Sequence, residues 1–288
     1  MHLKEAKGIL NAGNGMNISR GCVHGCIYCD SRSKCYQIEH DFEDVEIKIN
    51  APALLDAALS RKRKKQMVGT GAMSDPYMPL AENLANIRAC LEIINKHGCG
   101  LAIQTKSSLI LRDLDILTAI NEKARCVVET TLTTLDEQLC KIIEPAVCGT
   151  GRRFEVLKIM CDNNIKTIVW LCPFLPFIND TEENLRGLLD YCIEAKVYGI
   201  MCFGIGLTLR EGNREYFYRK LDEHFPGLKK VYQKKYGLNY IVSSDNNGKL
   251  MDILYKTCAK HNIVCDNEAL FEYMRTFEEK KGRQIGLF

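Results

Sequence analysis

Two hydrophobic periods take turns along this chain, one of two residues and one of about 3.6. Residues 42–49 alternate apolar and charged side chains (Phe-Glu-Asp-Val-Glu-Ile-Lys-Ile), which predicts a strand. Asn50 and Pro52 then open a helix that runs to about Gln66, with proline in the tolerated first turn. From there short apolar strand patterns at 67–71, 100–105, 126–132, 165–171 and 200–203 are separated by helix patterns. The helices are expected at 81–97, stopped by Gly98, at about 108–124, at 152–163, and from the cap-rich 179–183 to about Lys196. Repeated strand–helix units demand a parallel sheet with right-handed crossovers. Six such units, counted from Phe42, are too few to close an eight-stranded barrel. The expected fold is therefore α/β, an open, partial (β/α)6 barrel.

Beyond Gly206 the alternation stops. Residues 211–236 and 249–261 read as helices rich in aromatic and basic side chains, with a turn at Asp245-Asn246-Asn247-Gly248. The expected division is a barrel core over 1–205 and a helical C-terminal extension over 206–288 that packs on it. In open parallel sheets ligands sit outside the carboxyl ends of the strands, so the strand ends carry the candidate chemistry.

Composition changes the picture in two ways. The net charge of +3 selects neither for nor against nucleic acid, and no apolar run approaches a membrane span. The first twelve residues lack a signal-peptide core, so a cytoplasmic location is expected. Fifteen cysteines, an odd number scattered partly through apolar segments, read as free thiols in a reducing compartment. So many free thiols suggest a low-oxygen setting. Cys258 and Cys265 are spaced poorly for a metal knuckle and read as structural. The basic run Arg61 to Lys65 suits a helix C-terminus, and with the aromatic tail it permits a nucleic-acid partner.

The densest chemistry lies at Cys22-x3-Cys26-x2-Cys29, in a glycine-bearing run with no long apolar stretch. Thiolates this close form one soft ligand set, suited to Zn2+ or to an iron–sulfur cluster. Zinc would need a fourth ligand, for which Cys35 or His40 is near in sequence, and no second short knuckle follows. A cubane cluster held by three cysteines would keep one iron open to a small ligand.

The triplet with its flanks, Asn17-Ile18-Ser19-Arg20-Gly21-Cys22-Val23-His24-Gly25-Cys26-Ile27-Tyr28-Cys29-Asp30, resembles the radical S-adenosylmethionine superfamily. Within it, the flanking letters resemble the branch that contains spore photoproduct lyase. Four further segments match in the family's order: Gly69 to Tyr77, Gln104 to Ser107, Val128 to Thr134, and Glu144-Pro145 with Arg152-Arg153. The resemblance implies a 4Fe-4S cluster on Cys22, Cys26 and Cys29 with S-adenosylmethionine at its open iron. Reductive cleavage would then give a 5′-deoxyadenosyl radical, the electron coming from a flavodoxin or ferredoxin. It further implies cofactor contacts from Tyr28 near the adenine, from Ser74 and Asp75 near the amino group, and from Lys106, Thr130 and Thr131 to the methionyl and ribose parts. Arg153 is a weaker cofactor candidate, since an arginine on a helix surface is usually solvated.

Two departures separate the chain from spore photoproduct repair itself. Ala72 stands where that branch's lyase carries a hydrogen-donating cysteine, and Asp30 follows the third cluster cysteine in place of a tyrosine. The expected protein is a relative with different terminal chemistry, acting on DNA or a nucleobase lesion. The alternatives are radical modification of a peptide, protein or small metabolite with a partner protein, and a non-catalytic zinc module.

Overall fold

The computed structural model describes residues 1–276. Its elements run β1 (His2–Lys4), β2 (Gly15–Met16), β3 (Ser19–Arg20), β4 (Glu46–Lys48), α1 (Ala51–Ser60), β5 (Met67–Thr70), α2 (Ala81–His97), β6 (Gly100–Gln104) and α3 (Leu114–Lys123). They continue β7 (Cys126–Thr131), α4 (Glu137–Ile143), α5 (Thr150–Asp162), β8 (Lys166–Trp170), α6 (Glu182–Glu194), β9 (Gly199–Met201) and β10 (Gly206–Thr208). The chain then forms α7 (Asn213–His224), α8 (Leu228–Tyr236), β11 (Ile241–Ser243), α9 (Asn247–His261) and α10 (Asn267–Arg275).

The barrel is a six-stranded parallel sheet in the order β2-β5-β6-β7-β8-β9. Its first strand is not the one expected from the 42–49 alternation. That segment forms β4, which joins β1 and β3 in a separate three-stranded sheet. The barrel instead begins at β2, two residues in a Gly/Asn stretch too short to show any period. The helix after Pro52 ends at Ser60, so the basic run Arg61 to Lys65 is an exposed connection to the amino end of β5. An antiparallel pair of β10 and β11, helix α4 and helix α10 add to the expected elements. Residues 277–288 of the expected extension lie outside the described residues.

Strand alternation sorts the side chains to two faces. Val68, Leu101, Ile103 and Val128 pack outward against the helices with Ile87, Leu91 and Leu117. Met67, Ala102, Val127, Ile168 and Met201 point inward, where Leu270 and Met274 of α10 close the amino end of the barrel. The plug needs glycine beside it, because a Cβ on Gly199 would stand 2.4 Å from a Leu270 methyl. The free edge of β9 is covered by the Val264 backbone, which bonds both Ile200 and Tyr198. The carboxyl end of the barrel, where β5 and β6 end, carries no such plug among the described residues.

Four of the tail aromatics are core residues. Phe217, Tyr218, Tyr232 and Tyr236 are buried together with Ile143, Leu175 and Leu207. These four form no exposed stacking surface, whereas Tyr240 and Tyr255 remain exposed.

Candidate active site

The triplet loop leaves β3 and crosses the carboxyl end of the barrel. Gly21 has φ +84°, and a Cβ there would stand 2.4 Å from the Phe42 carbonyl that accepts the Cys22 N–H at 2.9 Å. Further along, Ile27 N–H donates to Ile143 O at 3.0 Å and Ala146 N–H to His24 O at 3.1 Å. The loop is thereby pinned on one side to the turn before β4 and on the other to the end of α4.

Cys22 and Cys26 are buried and Cys29 is half-buried. Their sulfurs do not make a single-ion set. Among the described residues, three His, Cys, Asp or Glu ligand atoms all within 4.8 Å of one another occur only at His2, His40 and Glu46. Tetrahedral zinc with bonds of about 2.3 Å would hold its sulfurs about 3.8 Å apart. A multi-iron cluster spreads them further, so the donor set fits the cluster. Burial pushes the Cys26 thiol up and Lys106 pulls it back. A coordinated metal deprotonates such a thiol outright.

The thiols line a cavity of about 90 Å3 together with His24, Ser31, residues 71–75, Gln104, Thr105 and Lys106. Gly71 lets the ends of β5 and β6 meet, since a Cβ there would lie 1.9 Å from Gln104 O. Through Ala72, Met73 and Gln104 this cavity adjoins a larger one of about 270 Å3 inside the barrel. Its walls include Gly69, Gln104, Glu129, Trp170 and, from the plug, Phe271 and Met274. Burial raises Glu129 to about 7, against the Trp170 Nε1–H that donates to its Oε2 at 2.7 Å.

The sequence-expected residues separate into walls and supports. Lys106 reaches the cavity, with its Nζ 5.9 Å from the Tyr28 ring. Burial opposes its charge, but Cys26 and Glu144 outweigh burial and keep it protonated. Ser74 lines the cavity while its hydroxyl donates to Gly21 O at 2.5 Å and meets Ser19 Oγ at 2.9 Å. Asp75 is a junction. Its Oδ1 accepts from Tyr77 N at 2.8 Å and Thr105 Oγ1 at 2.7 Å, and its Oδ2 from Lys106 N at 2.9 Å, with His24 Nδ1 at 3.4 Å. Burial opposes that carboxylate's charge, yet His24 and these donors hold it down at about 2.

Tyr28 lies in the core beside Ile27 and Ile143, and its hydroxyl donates to Glu144. Thr130 and Thr131 are adjacent on a strand, so they face opposite ways. Val128 and Thr130 point to the helices, while Glu129 and Thr131 point into the barrel. Arg153 is no surface residue. It is 1% exposed, pairs with Glu144 at 2.5 Å, and donates to Thr131 O and Cys148 O at 3.0 Å each. All three of its guanidinium nitrogens donate to protein groups, so it braces the fold.

Sequence reasoning passed over His24, Glu129 and Trp170. Glu129 carried a signal, a carboxylate amid an apolar strand. His24 and Trp170 carried none, since their partners are remote in sequence.

The Radical SAM superfamily matches residues 16–192. An uncharacterised protein of Methanocaldococcus jannaschii is 29% identical over 244 residues, 84% of this chain and 88% of its own. One of Mycobacterium tuberculosis is 26% identical over 258 residues, 88% and 75% of the two chains. Among solved structures, a spore photoproduct lyase variant superposes with TM-score 0.66 at 12% identity, covering 90% of this chain and 78% of that one. A spore photoproduct lyase complexed with dinucleoside spore photoproduct gives 0.64 at 11% identity, with the same coverage. At such identity the likeness shows the fold.

Proposed function

Since this chain belongs to the radical S-adenosylmethionine superfamily, an enzyme family that uses a 4Fe-4S cluster and S-adenosylmethionine, we propose that it performs radical chemistry on a nucleobase lesion in DNA. The observation that carries this reading is the joined pair of cavities, thiols and Lys106 at one end, Glu129, Gln104 and Trp170 at the other. Bound together, the cluster and S-adenosylmethionine supply a 5′-deoxyadenosyl radical for hydrogen abstraction. Cys22, Cys26 and Cys29 would hold the cluster. Lys106, protonated, would meet the methionyl carboxylate, and Thr131 would face the ribose from the inner side of β7. Ser74, Asp75 and Tyr28 would act through the loop they brace, keeping the thiols in register.

The inner cavity suits a planar heterocycle. Trp170 offers an aromatic face, and Gln104 and Glu129 offer an edge of donors and acceptors. A neighbour in fold binds a dinucleoside lesion, which favours the same substrate class here. A base inside a duplex would have to be extruded to enter, which favours damaged sites. Ala72 lines both cavities and supplies no transferable hydrogen, which supports a terminal step other than that of spore photoproduct repair.

The test is anaerobic reconstitution with iron and sulfide, reduction in the presence of S-adenosylmethionine, and quantification of 5′-deoxyadenosine with and without ultraviolet-damaged DNA. Wild type should release deoxyadenosine and Cys26→Ala should not. Stimulation by damaged DNA is expected. Stimulation by protein or peptide pools with none by DNA would replace the substrate class, and zinc without iron would overturn the whole reading.

A further inference from the structure

We propose that His2, His40 and Glu46 form a second metal site, for a divalent cation of the zinc class, on the small sheet behind the triplet loop. Their ligand atoms lie within 4.8 Å of one another. Two of the three are brought together by register, because His2 of β1 and Glu46 of β4 are direct cross-strand partners. His40 arrives from the connection that follows the triplet loop, and its ring meets that of His2 edge-on with centroids 4.9 Å apart.

Tautomers decide whether such a cluster can ligate. His40 Nδ1 lies 2.9 Å from Asp41 O, which can only accept, so Nδ1 carries the proton and Nε2 presents its lone pair. That Nε2 is buried and has no hydrogen-bond partner. His2 Nδ1 lies 3.1 Å from the Asp44 carboxylate, which likewise only accepts, and its Nε2 faces Glu46 Oε2 at 3.9 Å. Both rings therefore carry the outer oxygen partner that metal-binding histidines have. A tetrahedral ion with bonds of about 2.1 Å needs ligand atoms about 3.4 Å apart, so the trio must close by roughly 1.4 Å at most. Two imidazoles and one carboxylate select zinc over magnesium or calcium.

The charges around the trio permit this. Lys4 Nζ donates to Glu46 Oε2 at 2.9 Å, but its side chain is 58% exposed and can yield the carboxylate to a cation. The Met1 amine is held by Asp44 at 2.9 Å. Arg20 opposes Glu46 across the sheet, yet its guanidinium is turned to Tyr36 O and Gln37 O. An ion here would tie β1 and β4 to His40, two residues before the Phe42 carbonyl that fixes Cys22.

The test uses enzyme with its cluster reconstituted and any purification tag at the C-terminus, equilibrated with zinc and dialysed against a weak chelator. Wild type should retain one zinc per chain beside its iron. His40→Asn and Glu46→Gln should each weaken zinc retention at least tenfold with iron unchanged, and Cys26→Ala should lose iron but keep this zinc. Zinc-edge X-ray absorption on wild type should show a nitrogen and oxygen shell with imidazole scattering. Sulfur in that shell, no retained zinc, or retention untouched by both substitutions would overturn the proposal.

Discussion

Glu129 and Arg153 are both buried charges on the barrel, and they obey opposite electrostatics. Among the described residues Glu129 has only an indole N–H for a partner, so burial prevails and its carboxyl titrates at about 7 against an ordinary 4.5. Between those values the folded chain binds more protons than the unfolded one. Stability therefore falls as pH rises through that window and is level above it. Glu129→Gln keeps the Trp170 bond and removes the slope, so at about pH 8 it should be more stable than wild type by up to about 3 kcal/mol. Urea unfolding near pH 4.5 and pH 8 measures this, and equal slopes for both proteins would refute it. Arg153 is paired instead. Arg153→Met would leave Glu144 ionised and buried with Tyr28 and Lys106, at a cost of about 3–5 kcal/mol. Anaerobic chemical denaturation reads that loss; a loss under about 1 kcal/mol would show that the pair contributes little.

At the scale of elements, α10 is the part that completes the barrel. Leu270 is fully buried and packs against Gly199 where a larger residue would clash. Leu270→Ala should cost about 2–5 kcal/mol, because the strand side chains around it cannot all collapse inward. It should also deepen the 270 Å3 cavity, whose floor includes Phe271 and Met274 of the same helix. A lowered melting temperature with an unchanged substrate profile would separate the plug's structural role from any part in recognition. Strand and helix alternation from β5 to β9 was legible in the sequence because each element buries one face and so carries its own period. β2 was not. Two residues hold no period, and Gly15–Met16 become a strand only because β5 offers an edge to pair with. The 42–49 alternation was a true strand signal, but pattern reports a buried face and not the sheet that buries it. Thr130 shows the same limit one residue further down: the motif pairs it with Thr131, and the pleat parts them.

Across the whole molecule, the chemistry is local and its support is not. The triplet loop is held by the Phe42 carbonyl, by Ile143, and by a carboxylate junction at Asp75 that joins the ends of β5 and β6 to His24. The sequence by itself determined the candidate ligand set, the βα alternation and the strand ends expected to carry the chemistry, because thiol spacing and hydrophobic period are properties of short stretches. Tertiary structure alone decided which side chains line the cavity and which brace it. It buried Arg153, turned Tyr28 to Glu144, withdrew four of the tail aromatics into a core, and set Glu129 beside Trp170. Each of those outcomes depends on which distant segment shares a buried volume. In a low-dielectric interior that neighbour, and not the residue type, fixes charge, orientation and access.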